Sequence, residues 1–219
     1  MRSVALFAAA ILLSTGSATH AQNAVKPGYY VQGEMVLTAQ PGGELKGHYR
    51  ISPPFGAGTR LGLRASGGYF ITPTLAIEGG VLFAGEISTE QTFSYMDDND
   101  HYTSTFSVVS MNALVRYKPG GWSPVELVIG GGFAAARLAQ HDGVRRSLFY
   151  KTQAPLSDSS STEVAPNVTG GADLVLPTRS RAAVVGSFRL RWRGGVYSDD
   201  AHGTPTFAVD MGVGLRVRF

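Results

Sequence analysis

The sequence predicts an all-β fold: a transmembrane antiparallel up-and-down β-barrel, of eight strands, behind an N-terminal signal peptide. Three observations predict it. Eight stretches alternate apolar and polar residues with a period of two. The connections between them are alternately long and short. Beyond its first residues the chain has no apolar run near the roughly 20 residues that a membrane helix requires.

The chain opens with Arg2, an unbroken apolar run over residues 4–13, and small residues up to Ala21. That is the layout of a secretory leader, and the run is too short to serve as a membrane anchor. Cleavage after Ala21 places Thr19 at the −3 position, and cleavage after Ala18 places Gly16 there. Residues 1–21 are therefore expected to be a signal peptide and residues 22–219 one β-barrel domain.

With no cysteine, the chain can form neither disulfides nor thiolate metal sites. Its formal charge of +3 and the lack of any Lys/Arg run argue against a nucleic-acid partner. Glycine, 28 of 219 residues, far exceeds the average usage of about 7%, and it falls within the alternating segments. Inside a strand, glycine marks a bend or a close approach of backbone, and a tightly curved small barrel needs both.

The first segment sets Tyr29, Val31, Met35 and Leu37 against Tyr30, Gln32, Glu34 and Thr38. The second sets Leu61, Leu63, Ala65, Tyr69 and Ile71 against Arg60, Gly62, Arg64, Ser66 and Phe70. In the third, Leu75, Ile77, Gly79, Val81 and Phe83 alternate with Ala76, Glu78, Gly80, Leu82 and Ala84. The fourth opposes Val109, Met111, Ala113, Val115 and Tyr117 to Ser110, Asn112 and Arg116. Val125, Leu127, Ile129 and Phe133 form one face of the fifth, with Glu126, glycines and alanines on the other. The sixth has Val168, Ala172, Leu174 and Leu176 against Asn167, Thr169 and Asp173. The seventh runs Val184, Gly186, Phe188, Leu190 and Trp192 against Val185, Ser187, Arg189, Arg191 and Arg193. The last is the clearest: seven apolar residues from Phe207 to Phe219 lie on one side, with Asp210, Arg216, Arg218 and glycines among the other.

Connections are expected over 39–57, 72–74, 88–104, 118–123, 140–162, 177–181 and 194–205. The short ones carry turn chemistry, as in Thr72-Pro73-Thr74 and Lys118-Pro119-Gly120-Gly121. The long ones are polar. This asymmetry is the habit of barrels with short turns on one side of a membrane and long loops on the other. The apolar faces are accordingly expected to meet lipid, with Tyr29, Tyr69, Tyr117 and Phe219 near one rim and Phe83, Phe133, Trp192 and Phe207 near the other. Closure follows because an unpaired backbone amide in hydrocarbon costs several kcal/mol.

The final segment, Met211 to Phe219, resembles the terminal assembly signal of bacterial outer-membrane proteins. That signal ends in an aromatic residue after alternating apolar positions, matched here by Val213, Leu215, Val217 and Phe219. With the leader and eight strands, the chain resembles the small OmpA/OmpX-type outer-membrane barrels. The resemblance implies the outer membrane as location and membrane lipid and the barrel-assembly machinery as partners; in a departure from large OmpA-type proteins, no periplasmic domain is expected after Phe219. It implies no particular activity.

The inward set carries Arg60, Arg64, Arg116, Arg189, Arg191, Arg193, Arg216 and Arg218 facing Glu34, Glu78, Glu126, Asp173 and Asp210. Buried charges must be paired or wetted, so an ion-pair network filling the lumen is expected; the arginine excess leaves an anion-preferring passage as the alternative. The expected function is a structural or surface-interaction barrel, neither an enzyme nor dependent on a cofactor, with an extracellular ligand at its outer loops. A narrow porin-like channel and a lipid A-modifying barrel enzyme are the rivals. His48, His101, His141 and His202 are placed in outer loops, without a spaced Ser and Glu on a strand. Asp97-Asp98-Asn99-Asp100-His101 lacks the glycine and distal Glu of a calcium loop, so no metal site is assigned.

Overall fold

The computed structural model describes residues 28–40, 50–52, 58–95, 98–119, 123–147, 153–178, 181–194 and 207–219. They form ten strands: β1 (Tyr29–Gln40), β2 (Arg50–Ser52), β3 (Gly58–Phe70), β4 (Leu75–Tyr95), β5 (Asp98–Tyr117), β6 (Val125–Ser147), β7 (Gln153–Pro155), β8 (Ser159–Pro177), β9 (Ala182–Arg193) and β10 (Phe207–Arg218). Among the described residues no helix is long and apolar enough to cross a membrane.

The eight long strands pair antiparallel with their neighbours along the chain, and β1 closes the sheet on β10, from Tyr30 opposite Arg218 to Ala39 opposite Val209. Closure leaves no sheet edge within this band, which is what hydrocarbon requires. The short β2 pairs with β4, and β7 pairs with β6. The turn at 72–74 is held by the Thr72 hydroxyl, which accepts the amides of Leu75 at 3.0 Å and Thr74 at 3.3 Å.

Burial alternates with the pleat, but in the opposite sense to a water-soluble barrel. Val213 and Leu215 are 59% and 58% exposed, whereas Arg216 on the same strand is 0% exposed. The exposed apolar residues end in two belts. Tyr29 stacks on Tyr69 at 4.8 Å, and the Phe219 amide donates to the Tyr29 carbonyl at 2.9 Å at the short-turn end. Phe83, Phe133, Trp192 and Phe207 lie exposed toward the other end. Phe207 and Phe219 are twelve residues apart on one strand, which at about 3.3 Å per residue and a tilt of about 40° spans roughly 30 Å, a hydrocarbon thickness.

Two of the connections expected from the sequence are instead mostly strand. The pairing of β4 with β5 runs on to Tyr95 opposite Asp98, and that of β6 with β8 to Gln140 opposite Ser159. The segments 88–104 and 140–162 therefore contribute strand residues rather than loops, and His101 and His141 sit on β5 and β6. The reason is physical. These residues lie beyond the apolar belts, in water, where an outward Ser, Thr or His is as acceptable as a hydrocarbon, while threonine still favours extended backbone. Period-two hydropathy vanishes there although the hydrogen-bond ladder continues. The remaining expected loops fall largely outside the described residues, as do His48, His202 and Asp97.

Where the ladder slips, the cause is local. His101 faces Val144 but Thr103 faces His141, so Asp142 and Gly143 together oppose Tyr102. Asp142 takes φ 52°, the left-handed conformation that a bulge of this kind needs. A Cβ on Gly143 would collide with the Tyr102 ring and approach Leu156 to 2.8 Å, so the bulge is packed closed.

Candidate functional site

Inward-facing positions of the barrel build a layered lumen. At the short-turn end Tyr30, Phe70 and Ala76 form one apolar cluster, and Val175, Ala183 and Val185 another. Toward the long-connection end Ala84, Phe106, Val108, Ala134, Ala136 and Leu138 line the wall made by β4, β5 and β6. The charges lie between these apolar zones.

The central tier matches four carboxylates with four guanidiniums. Arg116 on β5 donates to Glu78 at 2.6 Å, Asp173 at 2.5 Å and Glu126 at 3.1 Å. Arg216 on β10 grips Glu126 at 2.8 Å and donates through Nε to Gln32 at 2.6 Å. Arg189 on β9 reaches Asp173 at 3.0 Å and lies 3.7 Å from Glu34 and 3.8 Å from Glu78. Arg64 on β3 donates to Glu34 at 2.9 Å and reaches Asp210 at 3.4 Å. All eight are buried. A buried ion is tolerated only with a partner and further hydrogen bonds, and each guanidinium here has at least one carboxylate within contact.

Tyr30 completes this tier. Its hydroxyl donates to Glu78 at 2.7 Å while the Arg216 guanidinium sits 4.8 Å from its ring centroid. The ring needs glycine beside it: a Cβ on Gly68 would fall inside it. Glu34 also accepts from Ser187 at 2.5 Å and from Gln32. The room for that arrangement comes from Gly212, whose added Cβ would stand 2.6 Å from the Glu34 carboxylate and 2.5 Å from the Ser187 hydroxyl.

The tier nearer the long connections is different. Asp210 on β10 accepts from Thr38 at 2.8 Å and pairs with Arg191 at 3.3 Å, besides sharing Arg64. Arg193 contacts Glu163 at 3.5 Å. Arg60 bonds Gln40 and lies 5.0 Å over the Phe106 ring, with no carboxylate within ion-pair distance among the described residues. Arg218, at the short-turn mouth, is only partly buried and stands 3.8 Å from Glu126. Arg60 therefore lies inside the lumen but outside the ion-pair network. Sequence reasoning did not single out Glu163, Tyr30, Gln32, Thr38 or Ser187 as parts of this site. Tyr30, Gln32, Thr38 and Ser187 were assigned to the inward faces, but the role of a neutral polar side chain depends on which charge lies across the lumen.

Of the histidines, His101 bonds the Thr92 hydroxyl at 3.0 Å and His141 lies 3.3 Å from Asp158. Asp100 is held by Arg145 in a two-point contact at 2.8 Å each. Among the described residues no group of three His, Asp or Glu side chains is arranged to hold a metal.

A closed barrel with lipid-facing hydrocarbon, aromatic belts and a charged interior is an integral membrane barrel of the outer-membrane class. The family described as outer membrane protein beta-barrel domain matches residues 7–219, and the chain belongs to that family. Among solved structures it is similar to Ail, the attachment invasion locus protein of Yersinia pestis, at 11% identity and TM-score 0.50, covering 88% of this chain and 99% of that one. A major outer membrane protein from Thermus thermophilus is similar at 13% identity and TM-score 0.50, covering 89% and 100%. The outer membrane protein OprG from Pseudomonas aeruginosa is similar at 12% identity and TM-score 0.50, covering 88% and 96%. No curated protein matches the chain. At these identities the likeness establishes the fold, and the location is the outer membrane.

Proposed function

We propose that the protein is a non-catalytic surface-interaction barrel, closed to solutes, which presents a β-sheet platform outside the cell. The observation that carries this reading is strand length. A membrane strand needs about 9–11 residues, and β1, β3, β9 and β10 have 12 or 13. The contiguous β4, β5, β6 and β8 have 21, 20, 23 and 19. About ten residues of each thus rise as one sheet beyond the aromatic belt, on one side of the barrel. Its outward positions include Ser88, Glu90, Ser107, Thr105, Thr103, Arg137 and Thr162, a polar surface that lipid does not explain. A ladder of this length, braced by the Asp100–Arg145 pair, costs chain entropy that a bare membrane anchor would avoid.

The closed lumen supports the same reading. Arg116, Arg189, Arg216, Tyr30 and Glu126 are fully buried side chains across its middle, and an eight-stranded barrel is only wide enough to be filled. The reading further assigns residues 1–21 to a cleaved leader, and Val213, Leu215, Val217 and Phe219 to recognition by the barrel-assembly machinery.

The test trims the platform at its own register. Ile87 faces Phe106, so removing 88–105 and joining these residues through an Asn-Gly turn keeps the barrel intact. Cells displaying each form are compared for attachment to immobilised extracellular-matrix and serum proteins. The trimmed barrel, still migrating as a heat-modifiable band, should lose attachment; equal attachment by both forms sinks the proposal. Planar-bilayer recordings of the full chain should show no discrete conductance, and regular steps would overturn the closed lumen.

A further inference from the structure

The tier of the lumen nearest the cell exterior holds more cationic donors than the described protein can satisfy. Arg60, Arg191 and Arg193 are each about 95% buried. Among the described residues five of their guanidinium nitrogens have no hydrogen-bond partner: Nε and Nη1 of Arg60, Nε of Arg191, and Nε and Nη1 of Arg193. The neutral groups beside them are in the same state. Asn167 lies opposite Arg193 and Thr169 opposite Arg191 across the β8–β9 ladder, so these side chains share the inward face. Both polar atoms of Asn167 and the Thr169 hydroxyl lack partners among the described residues.

Unpaired nitrogens also occur on Arg116, Arg216 and Arg218, but Arg116 and Arg216 bond carboxylates at 2.5 Å and 2.8 Å. Arg191 and Arg193 reach theirs only at 3.3 Å and 3.5 Å, and Arg60 has none within ion-pair distance among the described residues. The outer tier has no such balance. Asp210 is divided among Arg191, Arg64 and Thr38, and Glu163 touches Arg193 only through Nη2. Arg60 and Asp210 flank Thr38 across the β1 ladders, and Asp210 holds Arg191 at 3.3 Å, so Arg60 and Arg191 stand at one level of the lumen. A buried donor left unmade costs about 1–3 kcal/mol and more when charged, which favours an acceptor among these side chains.

We infer that Arg60, Arg191 and Arg193, with Asn167 and Thr169, form a buried binding site for a small free oxyanion of the phosphate or sulfate class. A tetrahedral oxyanion suits donors arriving from β3, β8 and β9, since it accepts in more directions than a planar carboxylate. Its negative charge would offset the local cationic excess. The inference goes beyond the surface-interaction proposal and does not depend on it, because the site lies within the lumen.

The experiment titrates the purified full barrel in detergent with inorganic phosphate at constant ionic strength. Binding is followed by phosphorus NMR, and stability by the midpoint of heat-modifiable gel migration. Saturable binding with a rising midpoint is expected. Arg60→Gln and Arg193→Gln should each weaken it about tenfold or more, given roughly 1.5–3 kcal/mol for a hydrogen bond to a charged group. Arg145→Gln, on the projecting sheet, should leave it unchanged. A flat titration of the wild type would mean that water alone completes the cluster and would overturn the inference. So would unchanged affinity in both lumen variants. A parallel arm replaces inorganic phosphate with lipopolysaccharide; a response to that phosphate source only would place binding at the lipid surface and equally overturn it.

Discussion

Arg216 and Glu126 form a strut across the barrel: one guanidinium nitrogen of Arg216 lies 3.0 Å and 2.8 Å from the two oxygens of Glu126. The residues stand on β10 and β6, which share no ladder, with β9 and β8 between them. The contact therefore ties opposite walls of a closed sheet whose backbone bonds run only between neighbours.

Breaking this strut from one side leaves a buried charge without its main partner. Arg216→Ala or Glu126→Ala should each cost about 3–5 kcal/mol in urea unfolding of the refolded barrel. Replacing both by methionine should cost less than either single alanine change, because neither fully buried end of the strut is left as an unpaired ion. A double variant as unstable as the sum of the two single ones would contradict a coupled pair.

Gly68→Ala tests the packing of the lumen at its short-turn end. The new methyl would occupy the position of the Tyr30 ring, which can move only by giving up its bond to Glu78. A loss of about 1–3 kcal/mol is expected from overpacking. The same substitution at Gly79, where an added Cβ meets nothing within 4 Å, should be nearly silent in the same assay.

The limits of the lipid band can be read by moving one charge. Met35 is 58% exposed and pairs with Val213 midway between the belts. Met35→Arg should destabilise the barrel in lipid vesicles by about 2–4 kcal/mol. Thr105→Arg, on the projecting part of β5, should stay within about 0.5 kcal/mol. Equal penalties at the two sites would show that the band extends further than the aromatic residues imply.

Alkaline pH should loosen the projecting sheet at its bulge. Burial, and then the Asp100 carboxylate, raise the ionisation of Tyr102 above the usual phenol value of 10.0, with Arg145 opposing. Below that value both folded and unfolded chains keep the proton. Above it the unfolded chain ionises first, so the stability contributed by Tyr102 declines as pH rises. Backbone hydrogen exchange in 98–104 and 140–146 should accelerate from about pH 10 upward in the wild type. The Tyr102→Phe variant should lack this component, and an identical profile would remove Tyr102 as its cause.

What the sequence determined on its own was the barrel and its inside-out polarity. The run from Phe207 to Phe219, with Asp210 and Arg216 on its other face, specifies a strand, a lipid side and a lumen side, because the pleat sends alternate side chains in opposite directions. That rule is local and survives without knowing any neighbour. It failed along 88–104 and 140–162, where both strand faces are wet and hydropathy carries no period, though the ladder persists. Tertiary structure alone decided partnership. Arg60 and Arg64 look alike in sequence, each inward on β3, yet shear and closure bring Arg64 to Glu34 and Asp210 and leave Arg60 with Gln40 and the Phe106 ring. Which carboxylate lies across a lumen is set by strand register and stagger around the whole sheet, a property of the closed barrel that no single segment encodes.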